Sequence, residues 1–314
     1  MKNDDLVSQI NIWRKKRNAL IIAHNYQVPE VQDIADFVGD SLELSQKAAK
    51  TDYKVIVFCG VHFMAESAAI FSPEKTVLIP DLKAGCSLAD SIDAAELRKW
   101  KKRYPGAVVV SYVNTSAEVK AESDFCCTST NAIRVVNSIP KEKEIIFTPD
   151  IFLGSYVARM TGRHIHVYPG QCHVHANVRP QEVVNKLHEH PNADFLIHPE
   201  CGCVTNSMYD VAVGDIPQKN THILSTGGML KYAKQSPAKE FVIATETGIL
   251  HRLKKENPQK SFVPLREDMV CKYMKKITLE KVLSSLKNLT FEVKVDAKIA
   301  ERARVPIERM LAIG

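Results

Sequence analysis

Apolar residues in this chain gather in short runs that stop abruptly at polar, Gly or Pro positions. The first runs are ALIIAHNY (19–26), KVIVFCG (54–60) and TVLIPD (76–81). AVVVSYVN (107–114), EIIFTPD (144–150) and HIHVYPG (164–170) follow, and then ADFLIHPE (193–200), THILSTGG (221–228) and EFVIATETG (240–248). Rich in β-branched residues and bounded by turn formers, they read as nine strands in three triads. Helix-like stretches lie between them, at 31–49, 65–70, 131–136 and 181–190. This alternation implies βα units and parallel sheets buried on both faces. First members of the triads recur after about 85 to 90 residues, which favours three similar α/β domains over one doubly wound nine-strand sheet. The boundaries read as 1–90, 91–176 and 177–289, with 290–314 a candidate completion of the first domain. The start, MKNDDLVSQINIWRKK, reads as an amphipathic helix, and Thr278 opposite Glu280 reads as the cap of a closing one.

At 314 residues and 45% hydrophobic, the chain has material for two or three cores. Its excess of positive charge, 42 minus 36, is mild and scattered in pieces such as 98–103 and 272–276. Without interleaved aromatics these read as solvated faces, not a nucleic-acid surface. No run approaches the roughly 20 apolar residues that span a bilayer, and the start lacks the apolar core of a signal peptide, so a cytoplasmic location is expected. Eight cysteines then read as free thiols or metal ligands before disulfides.

In parallel α/β architecture chemistry collects beyond the carboxyl ends of strands. Those ends carry His24, Asn25 and Tyr26; Tyr112 and Asn114; Cys172, His173 and His175; His198 and Glu200; Ser225 and Thr226. Any one of them is ordinary turn or capping chemistry, but the bias across all three units points to a shared site. The pairs His24/Tyr26, Tyr112/Asn114 and His198/Glu200 alternate, so in extended backbone each shares a side and combines proton-transfer and orienting groups. Ser129 and Ser225/Thr226 sit where loop gives way to helix and could hold a carboxylate or phosphate, although capping alone explains either. No GxGxxG or GxxxxGK[ST] motif supports a nucleotide fold.

Cys86, Cys172 and Cys271 follow the third strand of their respective triads, the last after a longer FVPLREDMVCKYMK segment. If the domains surround a pseudo-threefold axis, three thiolates approach one centre and suit a soft metal group, particularly an iron–sulfur cluster with one iron left open. Cys59 reads as core, while Cys126, Cys127, Cys201 and Cys203 read as bystanders, with a redox role or local ligation open for the last two.

Together AHNYQVPEVQDIADFVGDSLELSQKA, AGCSLAD, SYVNTSAEVKAESD, CTSTNA, PGQCHVH, HPEC, STGGM, ATETGILHRLKKENPQKSF and CKYMKKITLEKV resemble the quinolinate synthase family, almost from end to end. The resemblance implies three three-layer αβα domains around a pseudo-threefold axis and a [4Fe–4S] cluster ligated by Cys86, Cys172 and Cys271. It implies condensation of iminoaspartate with dihydroxyacetone phosphate, then dehydration and cyclisation to quinolinate, with the open iron assisting loss of water. It also implies a pocket of His24, Tyr26, Ser41, Tyr112, Asn114, Ser129, His175, His198, Glu200, Ser225 and Thr226. Glu200, His198, Tyr26, His24, Tyr112 and His175 would carry the catalytic roles. The implied partners are the two substrates and an iminoaspartate-producing enzyme, with no nucleic acid and no membrane, in a monomer or weak homodimer. Two alternatives remain at this stage, an iron–sulfur hydro-lyase acting on a small hydroxy acid and a thiol-rich metal sensor.

Overall fold

A computed structural model of the chain describes residues 3–204 and 220–313. The first unit contains α1 (Asn3–Arg17), β1 (Ala19–His24), α2 (Pro29–Ile34), β2 (Phe37–Gly39), α3 (Ser41–Ala49), β3 (Val55–Cys59), α4 (His62–Phe71) and β4 (Thr76–Leu78). The second contains α5 (Ala94–Arg103), β5 (Val108–Tyr112), α6 (Ala117–Ala121), β6 (Phe125–Cys127), α7 (Ala132–Ser138), β7 (Ile145–Thr148), α8 (Ile151–Thr161) and β8 (Ile165–Val167). The third contains α9 (Pro180–Glu189), β9 (Asp194–Ile197), β10 (Thr221–Ile223), α10 (Thr226–Gln235), β11 (Glu240–Ala244), α11 (Ile249–Glu256) and β12 (Ser261–Pro264). Two closing helices follow, α12 (Leu279–Asn288) and α13 (Ala297–Ile313).

Each unit folds its four strands into its own sheet, and all three sheets have the same order: β2-β1-β3-β4, β6-β5-β7-β8 and β10-β9-β11-β12. Every pairing between these strands is parallel. The architecture is therefore α/β with a repeated parallel-sheet unit, and the single nine-strand sheet is excluded. Every residue of β1, β3, β7 and β9 is buried, as strands covered by helices on both faces require. One continuous core runs from the first unit onto one face of the second sheet. The other face of that sheet packs Ile92, Leu97, Val109, Val119 and Ile146 separately, and the third unit forms its own cores on either side of its sheet.

The apolar runs predict nine strands, and twelve are present among the described residues. The three additional ones, β2, β6 and β12, are edge strands: Phe37–Gly39 lies inside a stretch that reads as helical, Phe125–Cys127 is mostly cysteine, and Ser261–Pro264 ends in Pro. β2 also divides the expected helix at 31–49 into α2 and α3. Its position is pinned by Asp36, whose Oδ2 accepts the Ile21 amide at 2.8 Å. Asp124 accepts the Val109 amide at 2.8 Å just before β6, so one side-chain device starts the second strand in two of the units.

The closing segment does not stay with one unit. α12 packs on α1 and β3, and Arg17 donates to the Leu286 and Lys287 carbonyls at its C-terminal end. Thr278 occupies the N-cap of α12 in extended backbone, but its side chain makes no capping bond, contrary to the expectation. Residues 291–293 run antiparallel along β4, with Ile79 N donating to Phe291 O and Val293 N to Val77 O. α13 then crosses to the second unit, lying on α6 and β6 with an edge against α4. Among the described residues no helix is long and apolar enough to cross a membrane.

Glu122, the C-cap of α6, gathers the cations of this junction: Arg302 of α13 at 3.0 Å, Arg98 at 3.1 Å and Lys101 at 3.4 Å. Burial works against its ionisation, but these donors outweigh it and hold the carboxyl below the usual range. A depressed folded-state pKa contributes stability above the unfolded value, roughly 4.3, and loses it as pH falls through the folded value. Glu122→Gln is expected to cost about 1 kcal/mol at pH 7, with the difference closing below about pH 4. Urea unfolding midpoints of the two proteins at several pH values check this, and a pH-independent difference would reject the electrostatic account.

Candidate active site

In each sheet the first strand lies between the second and the third, so consecutive crossovers depart in opposite directions beside its carboxyl end. A crevice opens at such a reversal, and side chains just past the strand face into it. The turns after β1 and β9 are built alike: His24 Nδ1 accepts the Tyr26 amide at 3.2 Å, and His198 Nδ1 accepts the Glu200 amide at 3.4 Å. Because both Nδ1 atoms accept, the proton of each neutral ring lies on Nε2. Burial drives both imidazoles toward that neutral form, His24 to a pKa of about 3 and His198 to about 4.

The three crevices meet in one cavity. Its walls include His24, Tyr26, Ser41, Tyr112, Asn114, Ser129, His175, His198, Glu200 and Thr226, together with Cys86, Cys172 and Cys271. Ser225 stands behind the wall; its hydroxyl caps α10 by accepting the Gly228 amide at 3.2 Å and lies 2.8 Å from Thr130 Oγ1. His173 also reaches the cavity, beside Ser87 at 2.8 Å, whereas Asn25 is turned to Thr226 Oγ1 at 2.9 Å.

Glu200 is the electrostatic centre. Burial opposes its charge, but His198, His175 and the Tyr112 hydroxyl outweigh that cost and hold the carboxyl down to about 2. Tyr112 donates to Oε1, and His175 Nδ1 lies 3.2 Å from Oε2. With Nδ1 donating to Glu200, His175 Nε2 accepts from Thr245 Oγ1 at 2.9 Å, and Thr245 in turn accepts from the Tyr26 hydroxyl at 2.5 Å. One directed chain of hydrogen bonds thus runs from Tyr26 through Thr245 and His175 to the carboxylate. Burial followed by the charge of Glu200 raises both tyrosines well above the usual phenol range, so each keeps its proton. His175 also stacks on His198, with ring centroids 5.2 Å apart.

Helix starts from all three units come together at Asp40, Thr130 and Ser225. Asp40 caps α3 in a capping box with Glu43, and its second oxygen lies 3.1 Å from Thr130 Oγ1. Asn131 Oδ1 accepts the Thr128 amide at 2.8 Å and shapes the loop from which Ser129 reaches His198 Nε2 at 3.3 Å. Asn114 adds a buried Oδ1 without a hydrogen-bond partner among the described residues. Hydroxyls, an amide and helix N-termini on one wall can receive carboxylate or phosphate oxygens.

The cysteines occupy equivalent places. Cys86 lies 86−78, or 8, residues beyond β4; Cys172 lies 172−167, or 5, beyond β8; Cys271 lies 271−264, or 7, beyond β12. The sequence pattern places Cys271 behind the third strand of its unit, but the intervening FVP segment is itself the fourth strand. As residues all three are partly exposed, whereas Cys59, Cys126 and Cys127 are buried. Burial, reinforced by Cys271 and Glu200, raises the Cys86 thiol to about 12, and a bound cation would stabilise its thiolate. A donor set of three sulfurs on one wall, from three loops, fits a soft metal group shared among them. A second set, Cys172, His175 and Glu200, has ligand atoms within 4.8 Å of one another, close enough for a single ion. Cys201 and Cys203 are buried and disulfide-linked, so this pair departs from the expectation of free thiols or metal ligands: one intervening residue brings the two sulfurs together.

Three contributors escaped the sequence reading. Thr245 is the first residue after β11 and could have been found by the strand-end rule that selected His24 and His198. Asp40 and Thr130 read as ordinary helix-start residues, and only the approach of three units reveals their meeting. The 272–276 run is not uniformly solvated, since Lys275 turns inward to Glu246 at 2.8 Å.

Comparison with known proteins matches residues 8–312 to the family described as Quinolinate synthetase A protein. The chain is 54% identical over 314 residues to a quinolinate synthase of Thermus thermophilus, covering 100% of this chain and 99% of the relative. It is 51% identical over 312 residues to a quinolinate synthase of Mycobacterium sp. strain KMS, covering 99% and 93%. A quinolinate synthase of Mycobacterium tuberculosis is 52% identical over 299 residues, 95% of this chain and 86% of the relative. With matches of this identity running from end to end, the chain belongs to the quinolinate synthase family of enzymes.

Proposed function

We propose that the chain is a cytoplasmic quinolinate synthase that condenses iminoaspartate with dihydroxyacetone phosphate to give quinolinate, phosphate and water. One observation carries this reading: a thiol from the fourth-strand loop of each unit opens onto the cavity that holds the Tyr26–Thr245–His175–Glu200 chain. Cys86, Cys172 and Cys271 would hold a [4Fe–4S] cluster, and the units would surround a pseudo-threefold axis through that wall. When bound, the cluster supplies a Lewis-acidic iron without a protein ligand, suited to polarising a hydroxyl that leaves as water. Thiolates on a cluster bind different irons, so they need not crowd as the ligands of one ion do.

The chain's own groups divide the remaining work. Ser41, Ser129, Thr226 and Asn114 would receive the substrates' carboxylate and phosphate oxygens, with Ser225 supporting them through Thr130. Glu200, already ionised, would accept the proton released as the carbon–carbon bond forms. That proton would return from Glu200 to a leaving hydroxyl, while Tyr112 and His175 Nδ1–H keep the carboxylate oriented. His24 and His198 would present neutral Nε2–H donors to the carbonyl oxygens during keto–aldo rearrangement and ring closure. Tyr26, at the head of the chain, would protonate or deprotonate an adjacent oxygen through Thr245. The protein would act as a monomer or weak homodimer, since every group given a role here comes from one chain. An enzyme that produces iminoaspartate would be the functional partner.

A single ion on Cys172, His175 and Glu200 is the competing arrangement. It would break the contact between His175 and Glu200 that organises the site. Anaerobic iron and acid-labile sulfide analysis decides between them: near four of each in the wild type, lost separately in Cys86→Ala, Cys172→Ala and Cys271→Ala, is expected. One metal per chain without sulfide would establish the single-ion site instead. Product analysis with the paired substrates separates the synthase from a hydro-lyase, because only the former yields an aromatic pyridine dicarboxylate. Glu200→Gln should retain cluster absorbance while kcat/KM falls by about 10²- to 10⁴-fold, the usual scale of a general base. Unchanged turnover in anaerobic assays of that variant rejects the proton-transfer role.

A further inference from the structure

Glu246 and Lys275 are the charged pair that the proposed chemistry leaves unused. Glu246 follows Thr245 and is wholly buried. Its Oε2 accepts the Gly248 amide at 2.7 Å, and its Oε1 accepts the Cys271 amide at 2.9 Å. The same Oε1 lies 2.8 Å from Lys275 Nζ, and Lys275 also donates to the Tyr26 carbonyl. One carboxylate therefore fixes the backbone of Cys271 in the third unit, and its lysine partner fixes the backbone of Tyr26 in the first. The pair is tightly enclosed: a Cβ at Gly248 would stand 2.8 Å from Glu246 Oε2, from Lys275 Nζ and from the Tyr26 carbonyl carbon. Gly248 in turn is held by Gln32, whose Nε2 donates to its carbonyl at 2.9 Å and to the Gln27 carbonyl at 2.8 Å.

We propose that Glu246 and Lys275 are positioning residues that lock the Cys271 loop and the Tyr26 turn to each other, so that the third thiol and the first tyrosine take their places together. Among the described residues the Cys271 amide has Glu246 as its side-chain acceptor, and a backbone amide left without its buried acceptor favours an opened loop. The inference deepens the proposed function, since it matters to catalysis only if Cys271 binds the cluster and Tyr26 meets substrate.

The test uses the cluster-free full chain, kept reduced. Iodoacetamide labelling of each cysteine is followed by peptide mass spectrometry in wild type, Glu246→Gln and Lys275→Met, alongside amide hydrogen exchange at residues 24–28. Both variants should label Cys271 about tenfold faster, each losing interactions on the scale of one charge-assisted hydrogen bond. Glu246→Gln leaves one acceptor oxygen where the Gly248 and Cys271 amides and Lys275 need two, and Lys275→Met removes the charge and the Tyr26 tie that hold Glu246 in place. Cys86 and Cys172 should keep their wild-type rates, while exchange around Tyr26 accelerates with Cys271. Equal acceleration at all three cysteines, or an unchanged Cys271 rate in the variants, overturns the proposal. If Glu246→Gln fails to accumulate, Lys275→Met decides alone, since that side chain is partly exposed and its loss removes one face of the pair. Labelling requires neither cluster nor turnover, so its outcome is separate from that of the iron and sulfide analysis.

Discussion

A parallel strand pair cannot be joined by a tight turn, and everything at the centre of this protein depends on that constraint. Each strand must be followed by a crossover, so every loop leaving a strand emerges on the same edge of its sheet. Repeating one four-strand order three times brings three such edges to one cavity. The side chains there come from distant parts of the chain: Tyr112 and Glu200 are 88 residues apart, and Asn25 and Thr226 are 201 apart. No local segment carries the chemistry, and the sheets act as rigid brackets that make distant residues neighbours.

Within the cavity, burial and charge act in opposite senses on neighbouring groups. Low polarity strips His24 and His198 of their protons, yet Glu200 stays ionised because the groups around it point hydrogen toward it. Two neutral donors and one carboxylate acceptor are thereby available together near neutral pH. Placing these groups in water would give weaker contrasts. The arrangement also explains why Glu200 needs no lysine or arginine against it: ring and hydroxyl hydrogens already satisfy both of its oxygens.

Much of this was legible in the sequence, for identifiable reasons. Strands buried on both faces are continuous apolar runs, so β1, β3, β5, β7, β9 and β11 stood out, and the polar residues that stop them marked the cavity wall. The edge strands β2, β6 and β12 are not legible, because FVG sits inside a helix-like stretch, FCC is mostly cysteine and SFVP ends in Pro, whereas the equally short β4, β8 and β10 carry β-branched runs. That loss mattered once, when an unseen β12 made Cys271 look displaced from its equivalents although it follows the fourth strand as Cys86 and Cys172 do. Ser225 was selected because it opens a helix, and the helix uses it. Lys275 was read with its cationic neighbours as solvated, since nothing in a run of charges tells which one turns inward.

The crossing of α13 to the second unit bears on how the protein is made. Asn131, which shapes the Ser129 loop through the Thr128 amide, donates its own Nδ2 to the Met310 carbonyl at 3.0 Å. Arg309 reaches the Asp124 carbonyl just before β6 at 2.7 Å. The second unit therefore receives partners from the last turn of α13, which is still inside the ribosome when the unit's own strands have long emerged. Domains synthesised early can fold as they appear, but the Ser129 loop gains its Met310 partner only after α13 has been made, so the bracing of this part of the cavity wall comes after the unit's own sheet.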